Sequence, residues 1–271
     1  MSLFHYTNIN ALHSILSESK IWLTDIRYLN DSKELHDGVD LMKKVLNSLI
    51  LRELNDFEFV NEAIKYINHS LNDSVNYGIS EEPVFIFSLG KAENRLSQWR
   101  SYGNYAIEFD EEGLKDHAPA LYTCNYDIES KKEILKTSLI ESIKNISNDM
   151  AKYSGNPGVE AIDAISYLME VVTTFKDDGF FEEQEVRIVD HLNEQQVKYR
   201  VKDNLLIPYL EMEISLDCIK RIHIGPMKNK NLAYESMLSF VKTIEREWQI
   251  ETDNIEYWLE VVESDIPYRE L

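Results

Sequence analysis

Apolar positions along this chain switch repeatedly between the spacing of strands and the spacing of helices. Leu3-Phe4-His5-Tyr6 predicts a strand. Asn8 then stands where it can cap a helix whose stripe is Ile9, Leu12, Ile15 and Leu16. Lys20–Thr24 predicts a second strand. Asp31, with Glu34 three residues later, has capping-box spacing and predicts a helix with Leu35, Val39, Met42 and Val45/Leu46 on its buried side. Residues 55–77 read as helical, then polar. Pro83–Ser88 predicts a buried strand, Arg95–Ser101 a short helix, and Tyr105–Phe109 and Ala120–Cys124 two further strands. From 128 to 176 the period becomes helical, with Ile134, Leu135, Leu139, Ile143 and Ile146, and Gly155-Asn156-Pro157-Gly158 divides it into two helices. Strands resume at Glu185–Asp190, Leu205–Ile214 and Ile219–Ile224. Met237, Leu238, Val241, Ile244 and Trp248 mark a long amphipathic helix, and Ile255–Val262 predicts a last strand.

Strands interrupted by helices, without regular βαβ alternation, predict an α+β fold with a mixed, split sheet. The expectation is one domain over 1–271, with 128–176 as a helical insertion rather than a second domain. The chain has 271 residues, enough for one large core. No internal repeat or low-complexity tract breaks it.

Composition narrows the function. No apolar run approaches a membrane span, and the first residues lack a basic leader, so no membrane association and a cytoplasmic location are expected. Only Cys124 and Cys218 are present, far apart, which argues against a disulfide framework or a zinc knuckle. The formal net charge of −20 opposes non-specific nucleic-acid binding. Neither G-x-G-x-x-G nor G-x-x-x-x-G-K-[ST] occurs, which disfavours a Rossmann site and a Walker-type loop. No H-E-x-x-H or paired Cys/His spacing occurs either, so no metal is expected.

Four segments carry candidate chemistry. His5 and Thr7, two apart on a strand, share a face and can hydrogen-bond a ribose or an amide; alternatively His5 is a satisfied core histidine. Leu29-Asn30-Asp31-Ser32-Lys33-Glu34 is either an anion site at a helix start or a simple cap. In Gln98-Trp99-Arg100-Ser101-Tyr102-Gly103, Trp99 and Tyr102 can stack on a flat ring and Arg100 can grip a phosphate, or Trp99 plugs the core. In Glu183-Gln184-Glu185-Val186-Arg187, both carboxylates and Arg187 would share one strand face. That pattern suits general-base work or stabilisation of a cationic sugar transition state, or else it is a solvated strand edge.

Taken in order, these motifs resemble the bacterial family catalogued as domain of unknown function 2971. The stretches that carry the likeness are Phe4-His5-Tyr6-Thr7, Ile21–Thr24, Leu29-Asn30-Asp31 with Glu34, Phe87-Ser88, Gln98–Gly103, Ala106–Phe109, Glu183–Ile188, Ile224-Gly225-Pro226 and Ser264–Arg269. After Phe87-Ser88 the chain runs into Leu89-Gly90-Lys91, then Glu93-Asn94, where that family often has Asp. More distantly, an initial strand with His, a central Tyr and a late strand with Glu is similar to the His-Tyr-Glu layout of ADP-ribosyltransferases, including their DNA-modifying branch.

That resemblance implies a split-sheet ADP-ribosyltransferase fold with NAD as substrate. His5 and Thr7 would hold the ribose and amide, Tyr102, with Trp99, would stack on nicotinamide, and Arg100 or Arg187 would bind the pyrophosphate. Glu185 would stabilise the oxocarbenium-like state, and Glu183 would position an acceptor, whether protein, DNA, RNA or water. His5, Tyr102 and Glu185 would converge in one pocket. The activity would be an ADP-ribosyltransferase or NAD glycohydrolase, fitting a toxin or phage-defence effector. The alternatives are a non-catalytic module that senses a nucleotide or meets a protein partner, and a metal-dependent hydrolase or nuclease.

Overall fold

The computed structural model describes residues 1–29, 33–49, 54, 57–76, 83–191, 196–202, 204–254 and 256–267. Its elements run β1 (Ser2–Thr7), α1 (Ile9–Glu18), β2 (Lys20–Asp25), α2 (Lys33–Ser48), α3 (Val60–Asn76), β3 (Val84–Gly90), α4 (Leu96–Tyr102), β4 (Tyr105–Asp110) and α5 (Glu111–Lys115). There follow β5 (Leu121–Thr123), α6 (Ile128–Lys152), α7 (Val159–Thr173), β6 (Glu185–His191), β7 (Lys198–Lys202), β8 (Leu205–Glu213), β9 (Ile219–Ile224), α8 (Lys230–Thr252) and β10 (Glu260–Glu263). The fold is α+β around a ten-stranded open, mixed sheet.

β3 organises the sheet. Its whole length pairs antiparallel with β6, from Val84 opposite His191 to Gly90 opposite Glu185. Its other edge is shared: β2 takes Phe85 and Ile86, and β1 takes Gly90. Between those contacts β1 and β2 part, and the sheet splits into two wings. One wing is β1-β4-β9-β10, the other β2-β8-β7, and only β9 with β10 is parallel.

β3 is continuously apolar because both of its faces are covered. Val84 and Ile86 join Val189 in a core closed by α2, α3, α6 and α7. Phe85, Phe87 and Leu89 point the other way, into a core that also holds α1, α8, Val186 and Ile188. The 128–173 helices therefore supply one face of the central strands. Glu185 and Arg187 alternate with Val186 and Ile188, so they point to the α2–α6–α7 face.

Several helix ends form for the reasons legible in the sequence. Asn8 Oδ1 accepts from the N–H groups of Asn10 and Ala11, capping α1, and Asp127 does the same for α6. The expected cap at Asn30, Asp31 and Ser32 lies outside the described residues. The basic segment Lys198–Lys202, not among the expected strands, forms edge strand β7 by pairing with β8. The last strand is shorter than expected: β10 is Glu260–Glu263, and Ile255 lies outside the described residues. Glu183 is not part of β6, contrary to the expectation of one strand face. It ends a 3-10 turn over Asp178–Glu183, and Gln184 follows with φ 46°.

Gly103 ends α4 with φ +137°, and a Cβ there would lie 2.3 Å from the Thr7 carbonyl oxygen. Only glycine lets α4 turn back against β1 at that point. Gly103→Ala is expected to lower unfolding free energy by about 3 kcal/mol, the scale of a strained backbone plus a steric clash. Chemical denaturation checks this; a change under about 0.5 kcal/mol, the range of neutral surface substitutions, contradicts it.

Candidate active site

Arg187 is the largest fully buried side chain of the protein, and its surroundings explain how a charge survives there. Nε donates to Glu185 Oε1 at 2.7 Å, Nη1 to the Thr173 carbonyl at 2.5 Å, and Nη2 to Glu34 Oε2 at 2.7 Å. Every nitrogen of the guanidinium is used, which a lysine could not do. Thr173 ends α7 and Glu34 lies in the first turn of α2, so Arg187 ties β6 to both helices.

Lys176 extends the network towards solvent. Its ammonium contacts Glu185 Oε2, lies 2.6 Å from Glu183 Oε2, and is 3.6 Å from Glu34 Oε1. Two cations thus face three carboxylates, leaving a formal excess of one negative charge. Burial opposes ionisation of Glu185, but Arg187 and Lys176 outweigh it and hold its carboxyl down at about 2. Burial likewise works against the charges of Arg187 and Lys176, and Glu185 more than compensates, raising both. Glu185, Lys176 and Arg187 are therefore ionised at neutral pH.

Accessibility separates the two carboxylates of the E-x-E motif. The Glu185 side chain is 5% exposed and that of Glu183 is 15% exposed. Glu183 Oε1 accepts a 3.0 Å hydrogen bond from the Tyr102 hydroxyl. Burial, then the neighbouring Glu183, raises the Tyr102 pKa, so the phenol stays protonated and donates. Aromatic rings stand near this outer end of the network, the Tyr102–Glu183 mouth. Phe180 lies 5.1 Å from the Lys176 ammonium, and Phe181 meets Tyr126 edge to face at 5.4 Å. Phe180 and Phe181 are both exposed. The Tyr126 hydroxyl accepts from the Glu185 N–H at 2.8 Å and fixes the start of β6.

The structure gathers Tyr102, Glu183, Glu185 and Arg187 in one place but not the remaining expected residues. His5 points to the opposite face of the sheet. Its ring stacks on Phe87 with centroids 4.1 Å apart, and Nδ1 lies 2.9 Å from the Ser88 carbonyl. That carbonyl belongs to β3 where β1 and β2 part. His5 thus satisfies a backbone group that the split leaves without a strand neighbour. A carbonyl only accepts, so Nδ1 carries the proton; burial pushes the imidazole pKa down to about 4 and keeps the ring neutral. Thr7, on the same side as His5, is buried. The expected convergence of His5 and Thr7 with Glu185 is therefore corrected.

Trp99 is also not a free stacking surface. It is 3% exposed, sits edge to face with Tyr6 at 4.7 Å, and its Nε1 donates to Asn94 Oδ1. Arg100 is exposed on α4. Arg187 is fully buried and each of its guanidinium nitrogens is engaged within the protein, so it is not placed to meet a pyrophosphate. Sequence reasoning missed Lys176 and Tyr126 and read Glu34 as a helix-start residue. Nothing in Phe175-Lys176-Asp177 marks Lys176, because its role comes from a return of the chain after α7.

Cys124 and Cys218 are both buried free thiols, and burial pushes each up to about 12, so neither is a nucleophile at neutral pH. Among the described residues no group of three or more His, Cys, Asp or Glu is placed to hold a metal ion. Nor is any helix among them long and apolar enough to cross a membrane.

A family model described as "Protein of unknown function (DUF2971)" matches residues 98–188. That stretch contains the last five residues of α4, with Trp99, Arg100 and Tyr102, the paired helices α6 and α7, and Glu183, Glu185 and Arg187. It includes neither His5 nor Glu34. No curated protein and no solved structure matches the chain.

Arg187→Met leaves Glu185 and Glu34 buried without their fork and is expected to lower stability by about 3–5 kcal/mol. Glu185 also sets an acid limb. Its carboxyl is lower in the folded chain than the roughly 4.3 of an unfolded glutamate, so its contribution is complete above that value and is lost as pH falls towards about 2. Melting curves of Glu185→Gln should show a lower midpoint at pH 7 and a shallower fall between pH 4.5 and 2.5. Equal slopes in variant and wild type would contradict the assignment.

Proposed function

We propose that the chain binds NAD, or a related nucleotide, at the Tyr102–Glu183 mouth and breaks its N-glycosidic bond. ADP-ribose would pass to a macromolecular acceptor or to water. One observation carries this reading: Glu183 and Glu185 meet on the Lys176 ammonium, with the Tyr102 hydroxyl on Glu183, beneath exposed aromatic rings.

The chemistry asks for these parts. As the bond from the ribose C1′ to the pyridinium nitrogen breaks, its electron pair leaves with neutral nicotinamide, and positive charge develops on the sugar. A carboxylate fixed nearby stabilises that charge, and a flat ring supports the leaving group. Glu183 is the accessible carboxylate and takes this role, while Glu185 is a positioning residue that fixes Lys176 and Arg187. This reverses the order of the two glutamates implied by the resemblance to His-Tyr-Glu transferases. Tyr102, Phe180 and Phe181 supply aromatic surface. An incoming hydroxyl or water forms the new bond to C1′, and its proton passes to a base such as Glu183.

The complete pairing of Glu185 favours a second reading, a nucleotide-binding module without turnover. A carboxylate held by two cations is poorly placed to meet a substrate, yet it makes a rigid floor for one.

Incubation of the pure protein with NAD, following free nicotinamide by chromatography, separates the two. The first reading expects release, reduced roughly 100-fold by Glu183→Gln with little change in melting temperature. A saturable NAD-dependent melting shift without nicotinamide selects the second. Neither release nor shift overturns both.

A further inference from the structure

We infer that Arg200 and Thr24, with Trp22 and Tyr209 beneath the guanidinium, form a binding site for the oxyanion of a small ligand beside the split between β1 and β2. The site is separate from the Glu183 mouth and does not depend on the function proposed for it.

Arg200 lies on edge strand β7, and its side chain reaches across β8 to β2. Nη2 donates to Thr24 Oγ1 at 2.9 Å. The guanidinium carbon lies 5.5 Å from the Trp22 ring centre and 6.0 Å from that of Tyr209. The two rings are themselves 4.6 Å apart. The guanidinium thus lies within cation–π distance of two aromatic rings, next to the gap between the wings. Its charge reaches His5 on the other side of that gap, where it adds to the burial that keeps His5 neutral.

Arg200 is part-buried yet lacks an anion. Three other arginines at the sheet are matched: Arg27 with Asp25 at 2.5 Å, Arg187 with Glu185 and Glu34 at 2.7 Å each, and Arg221 with Glu260 at 2.6 Å. Among the described residues Arg200 makes no ion pair, and its Nε is buried without a hydrogen-bond partner. The nearby acid is already engaged, since Glu211 lies 2.7 Å from Lys198 and 3.6 Å from Lys20. A buried donor left unmatched costs about 1–3 kcal/mol. In a chain with 48 acidic against 28 basic residues, an arginine without a carboxylate is not explained by a shortage of acids.

A purely structural arginine would need only its apolar contacts with the rings. Arg200 instead keeps N–H groups free on a half-buried guanidinium, with a hydroxyl beside it. Phosphate and carboxylate oxygens match that fork in geometry and charge. Lys202, two residues from Arg200, lies on the same face of β7 and adds positive charge there.

Tryptophan fluorescence tests the site directly, because Trp22 lies under the guanidinium. Full-length protein is titrated with pyrophosphate, with inorganic phosphate and with malonate, each against potassium chloride at matched ionic strength; the first two against the third distinguish phosphate from carboxylate as the group preferred. Saturable change with at least one oxyanion, absent with chloride and absent in Trp22→Phe, is expected. Arg200→Gln should weaken binding at least tenfold while the melting temperature stays within a few degrees, and Arg200→Lys should weaken it severalfold because it lacks the fork. If Arg200→Gln does not fold, Arg200→Lys and Thr24→Val carry the comparison. A response no larger than that of chloride, or equal affinity in wild type and folded Arg200 variants, overturns the proposal.

Discussion

A guanidinium in a dry interior is costly unless each of its donors is matched, and that constraint shapes the centre of this protein. Arg187 can exist on β6 only if α7 ends with a free carbonyl beside it, α2 begins with Glu34 against it, and Glu185 stands two residues away on the same strand face. Two of those partners come from other elements, the end of α7 and the start of α2. Meeting the demand of one side chain therefore fixes how the helices dock on the central strands. It also fixes Lys176, because the carboxylates that serve Arg187 have oxygen atoms left over for a second cation.

The outward end of that network is where chemistry is possible. Moving from Arg187 through Glu185 and Lys176 to Glu183, exposure rises and the surroundings change from packed helices to exposed phenylalanine rings. The gradient assigns different work to two glutamates that look equivalent in sequence. The inner one is paired with two cations; the outer one holds a single hydroxyl and an ammonium and is the more exposed. On the other side of β3, the split gives His5 a backbone carbonyl to satisfy. That is sufficient reason for a histidine there and removes the need for it to touch a substrate at the Glu183 mouth.

Much of the fold was legible because the signals were local. Asn8 caps α1, Gly155–Gly158 separates α6 from α7, and the apolar run of β3 announces burial on both faces. Mixed strand order and a split sheet followed from irregular alternation. β7 was missed: Tyr199 and Val201 alternate with Lys198, Arg200 and Lys202, but the run is short and mostly exposed, and its strand state rests on pairing with β8. At the candidate site the alternation of Glu185 and Arg187 was readable, as was the interest of Tyr102. Glu183 was misplaced because the left-handed Gln184 breaks the strand period before it. Lys176 was invisible as a site residue and Glu34 was readable only as part of a helix start, since their meeting depends on tertiary docking that no spacing encodes.

The central claim is that Glu183, rather than Glu185 or His5, faces the reacting bond. A crystal structure with an NAD analogue whose ribose ring oxygen is replaced by carbon tests this most directly. The account predicts the nicotinamide-side sugar within hydrogen-bonding distance of Glu183, a ring of the ligand against Tyr102, Phe180 or Phe181, and Glu185 still paired with Arg187 and Lys176. A ligand bound against His5 and Thr7, or one that draws Glu185 out of its ion pairs into contact with the sugar, would contradict it.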